Sequence, residues 1–159
     1  MRPAVYLTRA GHTRFLKELK ELKGPKRKKI AEMIAIARAH GDLRENAEYE
    51  AAREAQAFNE KRIAELNDIL SRVKIIEDEN IPNDKVYIGS KVTLLDLDTD
   101  EEVTYALLGE HESDITKKII STTSPIGKSM LGKEEGDEVT VVAPGGRKNY
   151  EIIEISRYV

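Results

Sequence analysis

The stretch Ala39-His40-Gly41-Asp42-Leu43-Arg44-Glu45-Asn46-Ala47-Glu48-Tyr49-Glu50-Ala51-Ala52 decides how this chain folds. Segments with helical periodicity lie on both sides, and a glycine with polar neighbours separates them. Upstream, Phe15, Leu19 and Leu22, then Ile30, Met33 and Ala37, recur at steps of three and four. Downstream the rhythm continues through Ala51, Ala55, Phe58, Leu66, Ile69 and Val73, with Arg62 at the one seam position that is not apolar. Stripes this narrow predict a coiled-coil seam, and the short turn between them predicts an antiparallel helical hairpin. With about thirty residues of helix per arm, the tip would stand roughly 45 Å from the base. Gly24-Pro25 interrupts the first arm, and a kink or short break is expected there, because proline lacks a donor and clashes with the preceding turn.

Outward from the hairpin, residues 3–8 read as extended, with Thr8 placed to cap the first helix. Ile81-Pro82-Asn83-Asp84 reads as a linker, so the expected division is a hairpin domain over 1–78, with its tip near 40–46, and a second domain over 79–159. In the second domain Lys91–Leu95 and Glu102–Leu108 alternate as strands across an acidic turn at Asp96–Glu101. Ser124-Pro125 opens a short helix from Ile126 to Leu131, with proline at its first position. Glu138–Ala143 and Asn149–Ser156 flank Pro144-Gly145-Gly146, a hairpin signal. The class is therefore α+β, a helical hairpin followed by a small domain of short strands and one helix.

With 159 residues the chain accommodates one ordinary domain or two small ones. It is 40% hydrophobic, 35% charged and only 5% aromatic, which fits much helical surface around a small core. Cysteine is absent, which excludes disulfides and thiolate metal sites. No apolar run reaches the length of a membrane span and no signal-peptide core is present, so a cytoplasmic protein that does not engage a membrane is expected. The net charge of −3 conceals a basic first part, with 17 Lys and Arg against 11 Asp and Glu over residues 1–75, and an acidic remainder, with 9 against 18. The two parts should meet different partner surfaces.

Asp42 and Glu45 are the candidate chemistry. Spaced i, i+3, they share one face if the second helix has begun. They also fit a capping box, Asp42 as N-cap and Glu45 at N3, and taken alone this structural reading is favoured. The two readings are compatible, since a carboxylate has lone pairs beyond those a cap uses. Two carboxylates make a poor cage for Mg²⁺, so any metal here would need ligands from a partner. Arg38, Arg44 and Arg53, with His40 among them, suit contact with phosphate. Ion pairs to Glu48, Glu50 or Glu54 are the plainer alternative. Lys26-Arg27-Lys28-Lys29 is a denser basic block whose cations point around the helix. Asp96-x-Asp98-x-Asp100 lacks the glycine and final glutamate of an EF-hand. Gly127-Lys128-Ser129 lacks the first glycine of a P-loop, and His12, His40 and His111 are too scattered for zinc.

Gly41-Asp42-Leu43-Arg44-Glu45-Asn46-Ala47-Glu48-Tyr49, continuing through Ala51-Ala52-Arg53-Glu54, closely resembles the bacterial GreA/GreB transcript cleavage factors. Ile120-Ser121-Thr122-Thr123-Ser124-Pro125-Ile126-Gly127, then Leu131-Gly132-Lys133 and Pro144-Gly145-Gly146, agree in the family's order across nearly the whole chain. The tip is less heavily basic than a GreB tip, which places the resemblance nearer GreA. It implies a coiled coil that enters the secondary channel of RNA polymerase and an FKBP-like C-terminal domain that docks at the channel rim. It also implies that Asp42 and Glu45 help hold the polymerase's second Mg²⁺ and orient a water, so that the polymerase hydrolyses the 3′ segment of backtracked RNA. By motif position Arg38, Arg44 and Arg53 face that RNA, and Ser124, Pro125 and Ile126 dock on the polymerase. No cofactor of its own, no complete active site and a monomeric state are expected. The intact acidic pair argues against an inhibitory relative. Two other readings stand beside this one: a channel binder that blocks without cleavage, and a prolyl isomerase, for which residues 91–159 offer no Phe or Trp to line a pocket.

Overall fold

Gly24-Pro25 does not break the first arm. The computed structural model describes residues 2–41, 46–77 and 81–158. In it α1 (Arg9–Glu21) passes into a single π-turn, Leu22–Lys26, and continues as α2 (Arg27–Arg38). The buried seam of this arm is Phe15, Leu22, Ile30 and Ala37, in steps of seven, eight and seven. The odd step spans the π-turn. One extra residue in a regular helix would turn all that follows by about 100° and carry Ile30 and Ala37 off the seam. Widening one turn absorbs that residue and the proline together. The expected interruption is thus a local change of helix type. Met33, expected in the seam, is 42% exposed, and its neighbour Ile34 is buried instead.

The second arm, α3, is Ala47–Ser71, and it packs along α2. Its seam is Ala52, Asn59, Ile63, Leu66 and Ile69, displaced by one residue in its first half from the apolar pattern expected. Phe58 is 65% exposed. Arg62 lies at the margin, where its fork grips Glu18 at 2.8 and 3.1 Å and its guanidinium stands 5.7 Å from the Phe15 ring centre. Hydrogen bonding to Arg62 holds the Glu18 carboxyl below its ordinary range. A second fork, Arg27 on Glu60 at 2.9 and 2.6 Å, ties α2 to α3 further along. Val73, expected in the helical seam, lies in a strand.

The chain separates into two compact units, Met1–Pro3 with His12–Val73 and Ala4–Gly11 with Lys74–Val159. In the second, β1 (Val5–Leu7) joins β2 (Val73–Ile75) in a two-stranded sheet. Thr8 caps the start of α1 as expected, its Oγ1 accepting from the Gly11 N–H at 3.0 Å. The main sheet contains β3 (Ser90–Asp96), β4 (Glu102–Leu108), β5 (Ile119–Ser121), β6 (Glu138–Ala143) and β7 (Gly146–Arg157), in the order β5-β4-β3-β7-β6. All neighbours run antiparallel except β4 and β5. The short helix α4 (Pro125–Met130) connects β5 to β6. Strand alternation sends Val92, Leu94, Leu107 and Ile152 into one core, which Met130 of α4 joins, while Ala106 and Leu108 join Ile76, Ile81 and Ile119 in another. The fold is α+β with an N-terminal helical hairpin.

Candidate functional site

The hairpin end is built from two helix termini. After Arg38 the backbone N–H groups of Ala39, His40 and Gly41 bond back to carbonyls of the last turn of α2. Gly41 then adopts φ +104, a left-handed geometry that stops a helix at little cost only with glycine. On the other side α3 is capped by Asn46, whose Oδ1 accepts from the Tyr49 N–H at 3.0 Å. The same side chain donates from Nδ2 to the Ala37 carbonyl at 2.5 Å. One amide therefore caps α3 and ties its start to the end of α2. The capping-box reading of Asp42 is corrected by this, because the N-cap of α3 is Asn46. Asparagine just before a helical run is a capping signal in its own right, and the more suggestive Asp-x-x-Glu spacing drew the assignment four residues early.

Tyr49 is half-buried beside Ile30, Ile34 and Ala52, and the Arg38 guanidinium lies 6.0 Å from its ring centre. Arg53 stands one turn further along the same face of α3 and bonds to Gln56 Oε1 at 3.0 Å. Among the described residues neither arginine pairs with a carboxylate, so for Arg38 and Arg53 the ion pairs to Glu48, Glu50 or Glu54 do not form. His40 instead approaches Glu48, at 3.4 Å. Among the described residues these two guanidiniums, one braced on an aromatic ring, have no carboxylate partner, an arrangement whose chemistry suits phosphate. Asp42, Arg44 and Glu45 lie outside the described residues. Among those described, no three His, Asp or Glu side chains gather where they could hold a metal ion.

Ser124, Pro125 and Ile126 lie together at the start of α4 in the second unit. Ser124 Oγ accepts from the Gly127 N–H at 3.1 Å and donates to the Ser121 carbonyl at 2.6 Å. Its hydroxyl is occupied in holding α4 against β5. Pro125 is exposed, and Ile126 packs partly onto the first core. A β-carbon at Gly127 would run into the Ser121 carbonyl, so this close approach requires glycine. No described helix is long and apolar enough to cross a membrane.

Residues 5–75 match the family model for the transcription elongation factor N-terminal domain, and residues 81–157 match that for the GreA/GreB C-terminal domain. The transcription elongation factor GreA of Rickettsia typhi is 53% identical over 149 residues, covering 94% of this chain and 92% of the relative. That of Helicobacter hepaticus is 48% identical over 149 residues, covering 94% of this chain and 91% of the relative. The crystal structure of GreA factor homolog 1 of Thermus thermophilus is 28% identical, covering 96% of this chain and 99% of that one, with a TM-score of 0.45. The two family models together account for both arms of the hairpin and for the sheet domain, and the chain belongs to the GreA/GreB family of transcription elongation factors.

Proposed function

We propose that this elongation factor enters the secondary channel of bacterial RNA polymerase and stimulates the polymerase's own cleavage of backtracked RNA. The hairpin arm, within residues 1–78, carries Asp42 and Glu45 to the polymerase active centre. There their carboxylate oxygens would help hold an Mg²⁺ ion ligated mainly by polymerase residues and would orient the attacking water. The metal supplies Lewis-acid stabilisation of the attacking and leaving oxygens. Two carboxylates fit this role and no larger one, because Mg²⁺ demands near-octahedral oxygen ligation. The factor itself positions groups and contains no complete active site.

The observation that carries this reading is Asn46. It caps α3 at the Tyr49 N–H and ties the two helix ends together, so the end of the hairpin next to Asp42 and Glu45 in sequence has a clasp of its own. Arg38 and Arg53, without a carboxylate partner among the described residues, and Arg44 between them in sequence, form the surface for the RNA 3′ segment. Residues 79–159 serve as an FKBP-like docking domain, a reading supported by the five-stranded sheet with one short helix. Within it Ser124, Pro125 and Ile126 engage the channel rim. The factor acts as a cytoplasmic monomer and releases the short products of a GreA-type protein. Added to halted, backtracked elongation complexes, it should shorten the RNA, while Asp42→Ala with Glu45→Ala should bind polymerase and leave the RNA intact. Binding with inhibition and no shortened RNA would instead identify a channel-blocking factor, and turnover of a proline peptide an isomerase.

A further inference from the structure

The seam leaves two shallow grooves along the hairpin, and Ile30 lines both, so they lie on opposite flanks. One is walled by Arg27, Ala31, Gln56 and Glu60. Arg38 stands seven residues beyond Ala31, and Arg53 seven before Glu60. That spacing is two turns along the same face of each helix. Arg53 also bonds to Gln56 of this groove, so both arginines belong to its flank.

The other groove runs between Pro25, Lys26, Lys29 and Met33 of the first arm and Ala55 of α3. A step of three continues its faces to Ile36 on α2 and to Phe58 on α3. Ile36 is 61% exposed and Phe58 65%, more than any other large apolar residue described in the hairpin. Neither lies in the buried seam, so the hairpin gains little from their apolar surface. A projecting aromatic ring one turn from a small residue and an apolar groove has the make-up of an interface centre. Lys26 and Lys29, at the rim, form no ion pair among the described residues. Glu21 is the one carboxylate lining this groove, which leaves the rim net positive. Charge complementarity then calls for a partner whose apolar patch is bordered by carboxylates.

This inference rests on the function proposed above, in which the hairpin lies in a channel with RNA against its arginines. The flank turned away from the RNA then meets the protein wall. We propose that the Phe58 flank is the docking face of the hairpin on the wall of the polymerase channel, at an apolar patch bordered by acidic side chains. Phe58 is its anchor, and Lys26 and Lys29 supply the complementary charge.

The test measures the affinity of the full chain for core RNA polymerase, by competition with fluorescently labelled parent protein at several salt concentrations. Melting, sedimentation of the factor alone and RNA cleavage at saturating factor are recorded beside it. Phe58→Ser should weaken polymerase binding roughly tenfold or more, as loss of an aromatic anchor does. Its Tm should stay within about 2 °C of the parent's, because the ring is exposed, and cleavage at saturation should be retained. Lys26→Glu with Lys29→Glu should weaken binding severalfold and reverse or flatten its salt dependence. Unchanged polymerase affinity in Phe58→Ser overturns the proposal, even where the parent stimulates cleavage. A free factor that sediments as a dimer, which Phe58→Ser dissociates without changing polymerase affinity, also overturns it, since a second copy then covers the face. Phe58-dependent binding by a parent that stimulates no cleavage would uphold the docking face while refuting the proposed cleavage function.

Discussion

Replacing Glu112 by alanine tests how the start of the first helix is held. Glu112 is 7% exposed, and its carboxylate accepts from the Thr8 N–H at 2.9 Å and from the Thr8 hydroxyl at 2.6 Å. Thr8 Oγ1 in turn accepts from the Gly11 N–H. Gly11 lies so close that a β-carbon there would strike the carboxylate. Hydrogen bonds to a charged acceptor contribute about 1.5–3 kcal/mol each, and truncation leaves two buried donors unmatched. The two are not additive, because both end on one residue, so a loss of roughly 3 kcal/mol is expected for the C-terminal unit. For a unit of this size that lowers its melting point by on the order of 10 °C or more. Differential scanning calorimetry with urea titration measures it. Glu112→Gln, which keeps one acceptor oxygen, should lose about 1 kcal/mol. Alanine within about 0.5 kcal/mol of the parent would refute the assignment of this carboxylate as the clasp on Thr8.

Other perturbations separate the remaining parts of the account. Asn46→Ala should cost about 1 kcal/mol for the lost cap and a further bond to Ala37, seen as faster amide exchange over the first turn of α3. Gly127→Ala should push α4 away from β5, destabilise the C-terminal unit by roughly 1–3 kcal/mol and weaken polymerase binding in a pull-down, whereas unchanged binding would remove α4 from the docking surface. Arg38→Gln should raise the factor concentration needed for half-maximal RNA cleavage severalfold without unfolding the hairpin. For Glu18, hydrogen-bonded to Arg62, the folded carboxyl titrates below its unfolded value. Its contribution is therefore complete above the ordinary glutamate range and disappears as pH falls through the folded value. The stability difference between the parent and Glu18→Gln should shrink to nothing on acidification, and a pH-independent difference would contradict the pairing.

Much of the architecture was legible because local signals agreed with the tertiary outcome. Thr8, Ser124-Pro125 and Pro144-Gly145-Gly146 are capping and turn residues whose side chains or backbone preferences act within three residues. Strands β3 and β4 alternate because one face of each is covered. The details that were not legible depend on partners far along the chain. A seam that runs through Asn59 is invisible to an apolar pattern, and the adjacent Phe58 drew the count onto the wrong face. The π-turn shifted Ile34 into the place that a regular helix gives Met33. Strands β1, β2 and β5 span only three residues each, too few to show a period, and β5 is defined by its parallel pairing with β4. At the hairpin end the arginines were visible as charges, but the ring of Tyr49 beneath Arg38 and the double role of Asn46 required both helices to be in place.

The claim that matters most is that the factor lends carboxylates to a metal belonging to the polymerase. It is tested by titrating Mg²⁺ into backtracked elongation complexes saturated with the parent protein, with Asp42→Asn or with Glu45→Gln, and reading the initial rate of RNA shortening. The account predicts that each amide substitution raises the Mg²⁺ concentration needed for half-maximal cleavage by roughly tenfold, while competition for polymerase is unchanged. A variant that binds normally, cleaves more slowly and keeps the parent's Mg²⁺ dependence would contradict it.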